Sequence, residues 1–471
     1  MSLPFRAKPA AETLPLTLLT KQALPGWLTR AGAVRRAWVQ GSGFKAAAGE
    51  LCLLPGRDGA PAGALVGIAG DGGPDDLWTA AGLSGRLPEG SWRFDPEPAG
   101  PEATRLALGW ALGAYSFTRY KQPGRAAAEL VWPARADRGY VERAARAAAL
   151  VRDLVNTPAE DMGPAELAKA AAAMARRLGM TTRVIEGEAL LEKNFPLIHA
   201  VGRASQRAPR LIDLAWGKAA HPKVTLVGKG VCFDTGGLDI KSDAGMKLMK
   251  KDMGGAAHAL GLAQMIVEAK LPVRLRVLVP AVENAVAGNA LRPLDVVKSR
   301  KGLTVEIGNT DAEGRLILAD ALTEASRDKP ALLVDFATLT GAARVALGPE
   351  LPALFCNDDA LADELARHAA AEADPLWRLP LWQPYRKRLD SKVADLNNIA
   401  EGGFAGSIYA ALFMQDFIEP GIPWLHFDLF AWNPYARPGR PEGAEAQVIR
   451  AVYALIAARF GGKREAPSAS N

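Results

Sequence analysis

Two short stretches of the 471-residue chain gather ionisable side chains among glycines. The first is VGKGVCFDTGGLDIKSDAGMKLMKKDMGGAA, from Val227 to Ala257, and the second is GNTDAEGRL, from Gly308 to Leu316. Together they supply Lys229, Asp234, Lys241, Asp252, Asp311, Glu313 and Arg315, all placed after apolar runs that read as strands. An isolated buried ion is costly, so charged groups beside buried strands are paired or bind metal. Singly, each of these residues would more often close a turn or a salt bridge. Their concentration in two loops points instead to a site. Asp311, Glu313 and Arg315 stand at i, i+2 and i+4, and an extended segment would turn all three to one face. Four carboxylates converging on one pocket would carry about four negative charges, which two divalent ions would balance. Oxygen-rich ligation favours Mn²⁺ or Mg²⁺, with Zn²⁺ admitted where an amine joins the shell.

Other chemistries fit less well. The five histidines (His199, His221, His258, His368, His426) form no H-E-x-x-H pattern and no tight cluster, and His258 reads as a helix residue. Asp234-Thr235-Gly236 has the form of an aspartic protease motif, but that mechanism needs two such aspartates and no second motif follows an apolar run. Gly228-Lys229 lacks the remaining parts of a phosphate-binding loop, and no G-x-S-x-G elbow is present. Cys232, among apolar and glycine neighbours, reads as a small buried thiol.

Strands and helices alternate around these loops. KVTLVG, VRLRVLVPAV, LTVEIG and ALLVDFATLTG read as strands, and GGAAHALGLAQMIVEA and GRLILADALTEAS as helices. The expected fold is therefore α/β, with a mostly parallel central sheet covered by helices and ligands gathered at the carboxyl ends of its strands. Residues 1–137, rich in Gly and Pro with short apolar runs, suit a small N-terminal α/β domain without a chemistry-bearing cluster. VERAARAAALVRDLVN carries a helical period, so residues 138–155 are expected to form a linking helix ahead of a catalytic domain over 156–471. A second helix, ELAKAAAAMARRLG, should end at Gly179. The tail KREAPSASN should lack order.

Composition limits the rest. Apolar residues make up 49% and charged residues 23%, a globular balance that excludes disordered, collagen-like and coiled-coil chains. No apolar run is long enough to span a membrane, and the charges and prolines mixed through the first thirty residues make a secretory signal an unexpected reading there. Cys52, Cys232 and Cys356 are too few and too scattered for a disulfide framework, so an intracellular, cytoplasmic setting is expected. The net charge of +6 is spread without runs, and nucleic acid is not the expected partner.

NTDAEGRL, together with VGKG-x₂-FDTGG and KDMGGAA upstream, resembles the leucyl aminopeptidase family of two-metal peptidases, peptidase family M17. NTPAE at Asn156, ENAVAGNALRP at Glu283, FATLTGA at Phe336 and SIYAALF at Ser407 also match. The resemblance implies an N-terminal α/β domain, a linking helix, a catalytic α/β domain and assembly as a homohexamer. It implies one metal on Lys229, Asp234, Asp252 and Glu313. A second, more exchangeable metal would sit on Asp234, Asp311 (side chain and carbonyl) and Glu313. The pair would be Mn²⁺ or Zn²⁺, with Mg²⁺ a third candidate. Lys241 would polarise the scissile carbonyl, and Arg315 would hold a bicarbonate that acts as general base. Met249, Asn309, Thr338, Leu339 and Gly341 match substrate-contacting positions. The implied reaction removes N-terminal residues from peptides with a free amine, using hydroxide activated by the two metals. The alternatives are a DNA-binding or regulatory protein on the same scaffold and a different two-metal hydrolase.

The chain departs from the family in three places. Ser242 replaces a proline after the second lysine, and Leu294 replaces the glycine of R-P-G-D. In WLHFDLFAW, Phe430 and Trp432 stand where small residues are usual near the back of the side-chain pocket, so no leucine preference is carried over.

Overall fold

A computed structural model describes residues 3–70, 74–122 and 124–461. The chain divides into two compact units, one of residues 1–149 with 435–442 and one of residues 150–434 with 443–471. The helix Arg138–Asn156 runs across that division.

The smaller unit is organised by a six-stranded sheet. Its order is Phe5–Arg6, Glu129–Val131, Ser91–Phe94, Leu14–Leu19, Pro61–Gly67 and Leu51–Pro55. All neighbours are parallel except the last pair. One face buries Leu16, Val66, Trp92 and Leu130 with Leu106 and Trp110 of the helix Gly100–Gly113. The alternating burial of LCLLP shows why this segment is a strand: every second side chain enters the core.

The larger unit carries a nine-stranded, mostly parallel sheet. Its main path runs Trp377–Arg378, Ala353–Cys356, Trp424–Asp428, Leu332–Ala337, Lys223–Gly228, Arg274–Asn284, Arg210–Trp216 and Thr181–Glu186, while Gly230–Asp234 pairs beside Arg274–Asn284. The five strands nearest the charged loops are mutually parallel. The flanking strands Arg210–Trp216 and Thr181–Glu186 run antiparallel to their neighbours, as does Ala353–Cys356 against Trp424–Asp428. The central strands are apolar without alternation because both their faces are covered: all six residues of Leu332–Ala337 are buried. The helices Gly254–Glu268 and Glu313–Arg327 both pack on these strands. Every residue from Gly254 to Val267 is buried, so an all-round apolar helix is what this place requires.

LTVEIG departs from the expected arrangement. Only Thr304–Glu306 is extended, and it belongs to a separate three-stranded sheet with Val296–Lys298 and Leu396–Asn397. Its Thr-Val-Glu alternation gives it one apolar side chain to bury, too little for a strand covered on both faces. The helix Pro164–Leu178 ends at Gly179, whose φ of +69° supplies the left-handed turn. The tail from Lys463 to Asn471 lies outside the described residues.

Candidate active site

Parallel strands end along a common edge, and the charged loops hang from it. Lys229 follows Lys223–Gly228, and Thr338 and Leu339 follow Leu332–Ala337. Asp234, Asn284 and Asp428 are the last residues of their strands. Asp252 sits in the 3₁₀ turn Met249–Met253, just ahead of the long buried helix. Lys229 is held from both sides, its N–H donating to Phe336 O at 2.9 Å and its carbonyl accepting from Ala256 N at 2.8 Å.

The loop after Asp234 folds back on itself, with Lys241 N donating to Thr235 O at 2.9 Å. That return brings Lys241 beside Asp234. It passes through Gly236 at φ +89°, where a Cβ would lie 2.5 Å from Asp239 O, so glycine is required. Thr310 ties this loop to the second one. Its hydroxyl donates to Gly236 O at 2.6 Å and accepts from Asp239 N at 2.8 Å, while Asp239 Oδ2 accepts from Thr310 N at 2.8 Å. The Asn284 amide donates to Asp234 Oδ1 at 2.8 Å and to Thr310 O at 3.2 Å. Fully buried Asn398 accepts from Gly308 N at 2.7 Å and donates to Asn309 O at 2.8 Å.

The stretch Asp311–Arg315 is not extended, which corrects the expectation of one shared strand face. Asp311 lies in a turn and the helix Glu313–Arg327 begins two residues later. EGRLILADALTEAS is rich in helix formers, and its dipole favours an acidic residue in the first turn. The helix also brings Gly314 against Lys229, where a Cβ would stand 2.5 Å from Cε and 2.8 Å from Nζ. The charged groups still converge, by loop and helix geometry rather than by strand alternation.

Lysines and carboxylates alternate at the centre. Lys229 Nζ lies 2.8 Å from Asp252 Oδ2 and 3.0 Å from Glu313 Oε1, and donates to Thr338 O at 3.1 Å. Lys241 Nζ lies 2.9 Å from Asp234 Oδ2 and also pairs with Asp311 Oδ1. Thr338 Oγ1 donates to Asp252 Oδ1 at 2.8 Å. Two ammonium groups face four carboxylates, so negative charge is in excess. Burial, with the Asp234, Asp252 and Asp311 carboxylates, lifts Glu313 to about 8 against the pull of Lys229. Burial and Asp234 lift Asp311 to about 6. Burial works against the charge of Lys229, yet Asp252, Glu313 and Asp234 hold its ammonium above the ordinary lysine range. Asp234 and Asp311 do the same for Lys241.

This arrangement fits metal ions. Asp234, Asp252 and Glu313 are buried and offer ligand oxygens all within 4.8 Å of one another. Glu313 Oε2 is buried with no hydrogen-bond partner. An orphaned carboxylate oxygen in a knot of like charges is a poor structural device and a ready cation ligand. Arg315 reaches Asn398 O through Nη1 at 2.7 Å, and its buried Nε has no partner. Burial lowers it to about 10, which still leaves a cation facing the cavity.

All twelve site residues expected from the sequence line one cavity of about 510 Å³. Phe430 lines it too. Trp432 does not, so only one of the two bulky residues narrows the pocket; the Trp432 ring lies under Lys250 Nζ at 5.4 Å instead. Sequence reasoning missed Lys251, Arg344 and Asp428 in the lining, and Asn284, Thr310 and Asn398 behind it. Ser242 accepts from Gly245 N at 3.3 Å as a helix cap, and Leu294 takes φ +73° where glycine would be unstrained. No histidine lines the cavity. His258 is buried, with Nδ1 on Gly254 O and Nε2 accepting from Gln447 N, and burial lowers it to about 4. Cys232 is fully buried and its thiol is pushed well up by burial.

A doubly covered, mostly parallel sheet with a carboxylate–lysine cluster at its carboxyl edge fits the class of metal-dependent hydrolases. Residues 149–453 match the catalytic domain of the cytosol aminopeptidase family, and residues 14–133 match the M17 aminopeptidase N-terminal domain. The chain belongs to the cytosol aminopeptidase family and is a metal-dependent aminopeptidase, a hydrolase of peptide bonds. It is 39% identical over 449 residues to a probable cytosol aminopeptidase of Leifsonia xyli subsp. xyli, covering 89% of this chain and 90% of that one. It is 46% identical over 290 residues to a peptidase B of Cronobacter sakazakii, covering 60% and 68%. The crystal structure of the cytosol aminopeptidase from Coxiella burnetii superposes with a TM-score of 0.93 at 49% identity, covering 97% of this chain and 99% of that one. The bottromycin maturation enzyme BotP in complex with Mn superposes at 0.86 with 34% identity, covering 95% and 100%.

Proposed function

We propose that this aminopeptidase works with two divalent cations, one on Lys229, Asp234, Asp252 and Glu313 and one on Asp234, Asp311 and Glu313. Mn²⁺ and Zn²⁺ suit the mixed oxygen and amine donors, with Mg²⁺ a third candidate. When bound, such ions supply Lewis acidity and a water that deprotonates near neutral pH. The observation that carries the reading is the buried carboxylate cluster, with ligand atoms within 4.8 Å and an orphaned Glu313 oxygen.

The chain's own residues do the rest. Lys241 places an ammonium beside the cluster, where it stabilises negative charge developing on the scissile carbonyl oxygen. Arg315 holds a small oxyanion, bicarbonate, as the proton acceptor, since no histidine shares the cavity. Met249, Asn309, Thr338, Leu339 and Gly341 contact the N-terminal residue of the substrate. Asn284 and Thr338 orient Asp234 and Asp252 by hydrogen bonds.

We also propose an N-terminal domain over 1–137, a linking helix over 138–155 and a catalytic domain over 156–471. A homohexamer in the cytoplasm acting on peptides with a free N-terminus completes the proposal. Among the described residues no helix is long and apolar enough to cross a membrane.

The test is hydrolysis of aminoacyl-p-nitroanilides and dipeptides by metal-stripped protein, with and without Mn²⁺, Zn²⁺ or Mg²⁺. Metal-restored release that is lost for an N-acetylated substrate is expected. Glu313→Gln should lower kcat/KM by about a hundredfold or more, ~2.7 kcal/mol in the barrier. Full activity after chelation, or in Glu313→Gln, would sink the ligand assignment.

A further inference from the structure

Two functional groups of the cavity hang from one residue that does not line it. Asn398 follows the short strand Leu396–Asn397 and is fully buried. Its N–H donates to Glu306 O at 3.0 Å, which fixes it to the end of the neighbouring strand Thr304–Glu306. The amide oxygen accepts from Gly308 N at 2.7 Å and Asn309 N at 3.2 Å. The amide nitrogen donates to Asn309 O at 2.8 Å and Ala312 O at 3.5 Å. One planar group thus spans the loop from Gly308 to Ala312. That loop belongs to no strand or helix, so side chains have to supply partners its backbone lacks. Asp311 is set by the same loop, its N–H donating to Asn309 Oδ1 at 2.6 Å.

The peptide carbonyl of Asn398 serves the second group, accepting from Arg315 Nη1 at 2.7 Å. Among the described residues this is the only hydrogen bond of the Arg315 side chain, and no ion pair within 4 Å engages it. Arg315 is 8% exposed, and a buried guanidinium held by one carbonyl is aimed by wherever that carbonyl stands. The remaining ligands are fastened elsewhere. Lys229 is held through its backbone by Phe336 and Ala256, and Asp252 through its side chain by Thr338. Asn398 therefore reaches Asp311 and Arg315 together, and neither Lys229 nor Asp252.

We propose that Asn398 is a positioning residue for two ligands at once: it sets Asp311 for the cation shared with Asp234 and Glu313, and Arg315 for the small oxyanion. This rests on the two-cation reading of the cavity and on Arg315 as the oxyanion holder. Ligand groups work only within about 0.5 Å of their proper places, and their supporting partners keep them there. Loosening Asn398 weakens the Asp311 cation and the oxyanion in parallel. The cation on Lys229 and Asp252 keeps its affinity, because its own fastenings are untouched.

The experiment is calorimetric titration of the metal-stripped protein with Mn²⁺, which separates a tighter from a weaker binding step. It is paired with the bicarbonate concentration that gives half-maximal turnover of an aminoacyl-p-nitroanilide in bicarbonate-depleted buffer. Asn398→Ala should weaken the Asp311 step by about 10- to 100-fold, with the tighter step changed by no more than about twofold. The half-maximal bicarbonate concentration should rise by about tenfold, in step with the lost cation affinity. Asn398→Asp keeps the side-chain volume and the two accepted bonds but turns an acceptor on Asn309 O and Ala312 O, and should weaken the same two ligands. Gly308→Ala strains the contact from the opposite side with Asn398 intact, since a Cβ there would run into Asn397 Oδ1 and stand 2.6 Å from Ile399 Cγ1. It should reproduce the pattern. A lower urea midpoint with both ligand constants unchanged would make Asn398 a fastener of the fold and overturn the proposal. Equal weakening of the two cation steps would overturn it as well. A single cation step in the unmodified protein would overturn the two-cation reading and this inference with it, and turnover indifferent to bicarbonate would remove its Arg315 half.

Discussion

Two sets of buried carboxylates in the larger unit are equally dry and built to opposite ends. Asp320 is fully buried, and its oxygens accept from Leu197 N at 2.8 Å, Ile198 N at 3.4 Å and Arg300 N at 2.8 Å. Asp374 likewise accepts from Val448 N and Arg450 N, both at 2.9 Å, and from Ala451 N at 3.3 Å. Glu313, just as buried, has one oxygen on Lys229 and the other on nothing. Burial lifts Asp320 to about 7 and Glu313 to about 8, so proton affinity does not tell these two residues apart. Hydrogen-bond accounting does. A carboxylate that serves the fold has its lone pairs occupied by the chain, whereas one that serves a ligand leaves them open.

The comparison can be broken or sharpened by substitution. The largest effect is expected for Asp320→Ala, which strips two buried N–H groups and one partly buried one of their acceptor and should cost about 3 kcal/mol or more of stability. A urea midpoint close to that of the unmodified protein would show that Asp320 is not a structural fastener. Asn284→Ala comes next, because it loosens Asp234 without removing a ligand. Its metal affinity, read by titration of the stripped protein, should fall by about 10- to 100-fold, and an unchanged affinity would remove Asn284 from the site. The smallest effect has the opposite sign. With chelator present and the pH held above about 8, where Glu313 is ionised, Glu313→Gln should be more stable than the unmodified protein by about 1 kcal/mol, since it removes one charge from a repelling cluster. A loss of stability there would mean that Glu313, like Asp320, is held for the fold.

Much of the site was legible because residue type is legible. The seven charged residues of the two loops stand out against glycine and apolar neighbours, and each reaches the cavity. Their local geometry was not legible in the same way. Alternation at 311, 313 and 315 suggested an extended face, but a helix begins at Glu313 and the groups meet through the close approach that Gly314 permits. Asn284 carried a faint signal, a polar residue ending the apolar run VRLRVLVPAVEN. Asn398, in DLNNIA, carried none: it matters because folding brings it to a loop about ninety residues earlier in the chain. LTVEIG shows the same limit, since a strand's period is visible locally while the sheet it joins depends on distant partners.

The amino-acid pattern alone determined the α/β class, the alternation of buried strands and helices, and the kinds of ligand atom at hand. Those follow from hydrophobic period and side-chain chemistry, which are properties of short segments. Only the tertiary structure decided which carboxylates face one another, which oxygen is left without a partner, and that Asn398 meets both the loop of Asp311 and Arg315. Those are facts of distance and desolvation between residues far apart in the chain, and a charge has no fixed energy until its surroundings are in place.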